Sequence, residues 1–136
     1  MNIDRLSAML ERHEGRRLMP YRDSVGKLTI GVGRNIEDVG LSNSEVDFLL
    51  ANDITNRYEA LERLTWFRQL NEARQEAIVD MSFMGLTRLL GFQKMIAALT
   101  AGRYEDAAAE LLKSKYAKQV GQRAIDLAHI IKTGSY

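Results

Sequence analysis

The sequence predicts an α+β protein, mostly helical. A small N-terminal lobe carries a β-hairpin or small sheet, and one long helix leads from it into a helical C-terminal lobe. Three observations carry this. Strand-like alternation bounded by turn residues is confined to the stretch between Arg17 and Val32. Ser42-Asn43-Ser44-Glu45 is a capping-box pattern that opens a long run of helical periodicity. Beyond it apolar residues recur at helical spacing, broken by glycines. One domain, 1–136, is expected, with residues 13–50 forming the β-containing lobe and residues 1–12 and 51–136 the helical lobe.

The elements follow in order. Ile3, Leu6, Met9, Leu10 and His13 share one helical stripe, with Asn2 as N-cap and Asp4 in the first turn. Gly15 ends this helix, since a left-handed residue there is cheapest as glycine. Glu14 then stands at the helix carboxyl end, where the macrodipole disfavours a negative charge. Residues 17 to 22 read as a strand holding the only proline, Pro20, which suits an edge. Ser24-Val25-Gly26 reads as a turn, and Lys27 to Val32 as the return strand. If Asp23 pairs near Lys27, Tyr21 faces Thr29. The period of two then puts Asp23 and Thr29 on one surface, away from the row Leu28, Ile30, Val32.

Gly31 and Gly33 allow a backbone or ligand to come close, and Gly40 closes a polar loop or third strand. The long helix runs to about Arg63. Helices are then expected at Trp66–Leu70, from an Asn71 cap through Met84, at Phe92–Leu99, at Tyr104–Lys113 and at Gln122–Lys132, ended by Gly134.

Composition bounds the function. At 136 residues the chain can bury a real core, and a net charge of +1 gives no global signature of a nucleic-acid binder. With no cysteine, disulfides and thiolate metal sites are absent. His13 and His129 lack acidic neighbours at ligand spacing, so no metal is expected. No stretch approaches a membrane span, and no signal-peptide pattern is visible. Lys113, Lys115 and Lys118 near Tyr104 and Tyr116 read most simply as a solvated helix face.

The chemistry-bearing group is Glu14, Asp23 and Thr29. Taken singly, Asp23 before Ser-x-Gly is a turn former and Thr29 a good strand residue. Together they match the needs of glycosidic hydrolysis, which uses a protonated acid on the leaving oxygen and a carboxylate across the sugar ring. A carboxylate that directs water stands roughly 6.5–9.5 Å from the acid, and a direct nucleophile about 5–5.5 Å. The Gly31-Val32-Gly33 turn is no dinucleotide fingerprint, because it lacks the third glycine and a βαβ setting.

Glutamate, eight residues, aspartate, five residues, threonine, then Ile-Gly-x-Gly resembles the signature of the phage-type lysozymes, the endolysin family. The likeness continues through GLSNSE, MSFMGLTRLLGFQKMIAAL and KSKYAKQVGQRAIDLAHIIKTGSY, nearly the whole chain. It implies a lysozyme-like two-lobed fold and an endolysin muramidase. The bond cut would be the β-1,4 link between N-acetylmuramic acid and N-acetylglucosamine in peptidoglycan.

Glu14 would be the general acid, Asp23 and Thr29 would direct the water, and the anomeric centre would invert. Arg123 would support the catalytic glutamate, Phe83 would line the cleft, and Lys115 would contact glycan. No cofactor is implied. Peptidoglycan glycan strands are the expected partner of a monomer, with neither nucleic acid nor stable membrane insertion. The protein would accumulate in the host cytoplasm and reach the wall through a separate membrane pore.

The sequence departs from the family pattern in three places. Ser82-Phe83-Met84-Gly85 is one residue short, Arg34 replaces a histidine found in some members, and the stretch before the capping box leaves no room for an extra helix. A lytic transglycosylase and a non-catalytic wall-binding or helical interaction module are the alternatives.

Overall fold

The computed structural model describes residues 1–136, which divide into two compact units, Met1–Leu49 and Leu50–Tyr136. The first unit begins with helix α1 (Ile3–Glu14). Asn2 caps it by accepting from the Arg5 N–H at 2.9 Å, as its position predicts. Gly15 ends α1 with φ +79 but ψ 168, an extended rather than left-handed α conformation, and its N–H closes on Glu11 O at 2.9 Å.

The strands β1 (Arg17–Arg22), β2 (Leu28–Gly31) and β3 (Arg34–Asn35) form an antiparallel sheet in sequence order. Tyr21 pairs with Thr29, the register inferred from the alternation. Between that pair and Arg17↔Gly31 the register shifts, so β1 bulges around Leu18, Met19 and Pro20. Proline suits this place because a bulge leaves the ladder without the N–H that proline lacks. Thr29, 3 % exposed, is the covered residue of β2, whereas Leu28 and Ile30 are only half-buried and Val32 is exposed. Its hydroxyl donates to Lys27 O at 2.9 Å, so its burial leaves no polar group unpaired.

Helix α2 (Asn43–Glu62) contributes residues to both units. Its N-terminus is a reciprocal capping box: Ser42 N–H donates to Glu45 Oε1 at 2.8 Å, and Glu45 N–H to Ser42 Oγ at 3.2 Å.

The second unit continues with α3 (Thr65–Arg68), α4 (Glu72–Ser82), α5 (Leu86–Leu90), α6 (Gln93–Thr100), α7 (Tyr104–Leu112), α8 (Lys115–Val120) and α9 (Gln122–Thr133). Two of these, α5 and α8, are helices beyond those the periodicity delimits. Gly85, with φ +115, redirects the chain into α5, and Ser114 caps α8 by accepting from Ala117 N–H at 3.1 Å. Both are short, so a hydrophobic period has no room to develop.

The core lies in this unit. Leu61, Phe67, Ile78, Met81, Leu89, Leu111 and Ile131 are fully buried, with Phe67 edge-on to both Tyr58 and Trp66. Arg74 of α4 closes the end of α9: Nε donates to Ile131 O at 2.7 Å and Nη2 to Lys132 O at 3.2 Å. The same guanidinium lies 3.5 Å over the Tyr104 ring. These contacts satisfy carbonyls that a helix end leaves without partners.

Candidate active site

Glu14, Asp23 and Thr29 all belong to the first unit. Glu14 is the last residue of α1, and its side chain lies over the turn that follows β2. A Cβ built on Gly33 would stand 3.0 Å from both the carboxyl carbon and Oε2 of Glu14. Gly33 also has φ +69, a conformation that favours glycine, and a side chain there would push on the Glu14 carboxyl. The sequence offered Gly31 and Gly33 as points of close approach; the approaching group at Gly33 is this carboxylate.

Asp23 opens the β1–β2 turn. Its Oδ1 accepts from Val25 N–H at 3.0 Å and Lys27 N–H at 2.8 Å, while its own N–H donates to Lys27 O at 2.9 Å. The turn-forming role expected of Asp23 alone is therefore present. It uses one carboxylate oxygen and leaves Oδ2 without a partner in the protein. Thr29 Oγ1 donates to the same Lys27 carbonyl. The backbone of one residue, with its N–H on the carboxylate and its C=O on the hydroxyl, thus ties Asp23 to Thr29.

Phe83, Arg123 and Lys115 lie in the second unit. Phe83 and Arg123 share a cavity of about 640 Å³ that is also lined by Tyr58, Glu76, Val79 and Asp80. Arg57 lies over the Phe83 ring, 5.6 Å from its centroid. Arg123 is held by Asp80: Nε and Nη2 each approach Oδ1 at 2.8 Å, and Nη2 donates to Asp80 O at 3.2 Å. That bond to Asp80 raises the guanidinium's already high pKa further. Lys115 begins α8, is exposed, and does not line this cavity.

Sequence reasoning missed Asp80, because nothing in the chain ties it to a residue 43 positions away. It also missed Lys27, whose contribution comes from its backbone. Lys27's ammonium is itself raised in pKa, first by its hydrogen bond to Asp38, then by that charge and by Glu37, with Asp23 contributing.

No group of three or more His, Asp or Glu side chains is placed to hold a metal ion. No helix is long and apolar enough to cross a membrane.

Comparison with known proteins gives a consistent result. The profile of the phage lysozyme family matches residues 11–128. "Probable T4-type lysozyme 1" of Dictyostelium discoideum is 24% identical over 164 aligned positions, covering 98% of this chain and 96% of the relative. That alignment is longer than the chain, so the relative carries residues with no counterpart here. The endolysin of Acyrthosiphon pisum secondary endosymbiont phage 1 is 30% identical over 120 positions, 85% of this chain and 80% of the relative. The pre-baseplate central spike protein Gp5 of Enterobacteria phage T4 is 28% identical over 96% of this chain, which spans only 28% of that protein. By the family match and these relatives, the chain belongs to the phage lysozyme family and is a lysozyme-type glycoside hydrolase.

Proposed function

We propose that the protein cleaves the β-1,4 bond between N-acetylmuramic acid and N-acetylglucosamine in peptidoglycan, with inversion. The observation that carries the reading is the joint anchoring of Asp23 and Thr29 on the Lys27 backbone, in the same unit as the Glu14 carboxyl seated on Gly33. Glu14 protonates the leaving oxygen. Asp23 has Oδ1 occupied by two backbone donors, so Oδ2 is the atom that accepts from the attacking water. Thr29 gives its proton to Lys27 O and can offer a water only a lone pair. A water between them donates one hydrogen to each and presents its own lone pair to the anomeric carbon. Water attacking opposite the leaving group inverts that carbon.

Phe83 and Lys115 are assigned to glycan contact, the first through its half-exposed aromatic face and the second through its exposed ammonium. Arg123 is assigned to support of the site. The protein acts as a monomer on the wall, and a separately made membrane pore admits it.

Replacing Glu14 with Gln in a clearing assay on purified peptidoglycan tests the assignment. The variant is expected to keep its fold and lose activity by about 10²-fold or more. Products from the parent protein should carry the α anomer when read promptly by NMR. Anhydromuramyl ends in those products would indicate a transglycosylase instead, and an active Glu14→Gln variant would remove Glu14 from the chemistry.

A further inference from the structure

We propose that Lys27 is a positioning residue for the hydrolytic water: its backbone N–H and C=O fix both groups that direct the water, and its ammonium, held by Glu37 and Asp38, keeps that stretch of backbone in place. The inference rests on the assignment of Asp23 and Thr29 made above. Lys27 Nζ stands 3.2 Å from Asp38 Oδ1 and 3.5 Å from Glu37 Oε2. Asp38 Oδ2 in turn accepts from Asn35 Nδ2 at 3.0 Å, and Asn35 is the ladder partner of Thr29. Glu37 Oε1 accepts from Arg22 Nη1 at 3.2 Å, and the same nitrogen donates to Gly26 O at 3.0 Å inside the turn. The charged groups on Lys27 are therefore Glu37 and Asp38 from the segment after β3 and Asp23 from the turn, with Arg22 of β1 closing the ring through Glu37.

Magnitude decides what this ring does. Lys27, Glu37 and Asp38 have side chains roughly two-fifths to one-half exposed. Such ion pairs contribute little to global stability. A displacement of about 1 Å in a group that aligns a nucleophile can cost up to about 100-fold in rate. A set of weak contacts converging on one residue is thus suited to placing atoms rather than to holding the fold. Both carbonyl contacts and the carboxylate contact run through the Lys27 backbone, so movement of this residue shifts Asp23 and Thr29 together.

The test compares Lys27→Met, Lys27→Arg and the double variant Glu37→Gln/Asp38→Asn, with Asp23→Asn alongside, on soluble peptidoglycan fragments. Lys27→Met should lower kcat roughly tenfold while KM stays within about twofold and the melting temperature moves little. Lys27→Arg should restore most of kcat, and the double variant should match Lys27→Met although it retains the lysine. A Lys27→Met enzyme with undiminished kcat, or a double variant with full activity, overturns the inference. If Lys27→Met fails to fold, the double variant decides alone. A fully active Asp23→Asn enzyme would instead overturn the assignment on which the inference rests, whatever the lysine variants do.

Discussion

The carboxyl group of Glu14 lies so close to Gly33 that a Cβ built there would stand 3.0 Å from it. Gly33→Ala therefore meets two costs. A residue with a side chain at φ +69 loses about 1–2 kcal/mol of stability. The new methyl also meets the carboxyl end of Glu14, which is flexible and must move. Activity is expected to fall further than that stability loss explains. Urea unfolding and a clearing assay on the same preparation measure the two effects separately.

Thr29→Val removes the lone pair proposed to receive one water hydrogen, and Thr29→Ser keeps it. Lys27 O retains its bond from Asp23 N–H in either variant, so the turn persists. We expect the valine variant to lose roughly tenfold or more in kcat and the serine variant much less. Steady-state kinetics with circular dichroism on both proteins checks this.

Glu45 has a pH signature of its own. The hydrogen bond from Arg34 first, and then the Ser42 N–H, lower its carboxyl from 4.5 to about 2. A depressed carboxylate stabilises the fold at pH above its unfolded value and loses that contribution as pH falls through the folded one. Stability attributable to Glu45 should therefore decline between about pH 4.5 and about 2. Urea midpoints of the parent and Glu45→Gln proteins should converge across that window, and a constant difference would contradict the assignment.

Arg74 supplies a fork that the carbonyls of Ile131 and Lys132 share, on a guanidinium stacked over Tyr104. Arg74→Met leaves those carbonyls without their donor. It should cost about 2 kcal/mol, within the range for hydrogen bonds to charged groups. Arg74→Lys keeps the charge but not the planar fork, and should recover only part of the loss. Thermal unfolding of the three proteins decides.

Much of this was legible because the signals were local. Asn2, the Ser42–Glu45 capping box and Asn71 each act within three or four residues, and each caps the helix expected of it. The Tyr21–Thr29 register followed from turn length and alternation. Burial of Thr29 was not legible, because an aliphatic row ordinarily claims the covered face and the hydroxyl's use of Lys27 O is invisible in sequence. The Arg74 cap on α9 and the Arg123–Asp80 pair join residues more than forty positions apart, beyond the reach of any periodicity. Gly33 was legible as a point of close approach, while the identity of the group that approaches came only with the fold.

The bulge in β1 has a bearing on how the protein behaves at high concentration. Strand β1 is an outer strand of the sheet, and Leu18 and Met19 on it are 82% and 74% exposed, the combination from which intermolecular strand stacking starts. Pro20 withholds an amide and the register shift skews the rim, so a neighbouring molecule finds no continuous row of donors to zip against. Straightening this rim by exchanging Pro20 for a β-branched residue would convert a protected border into an adhesive one.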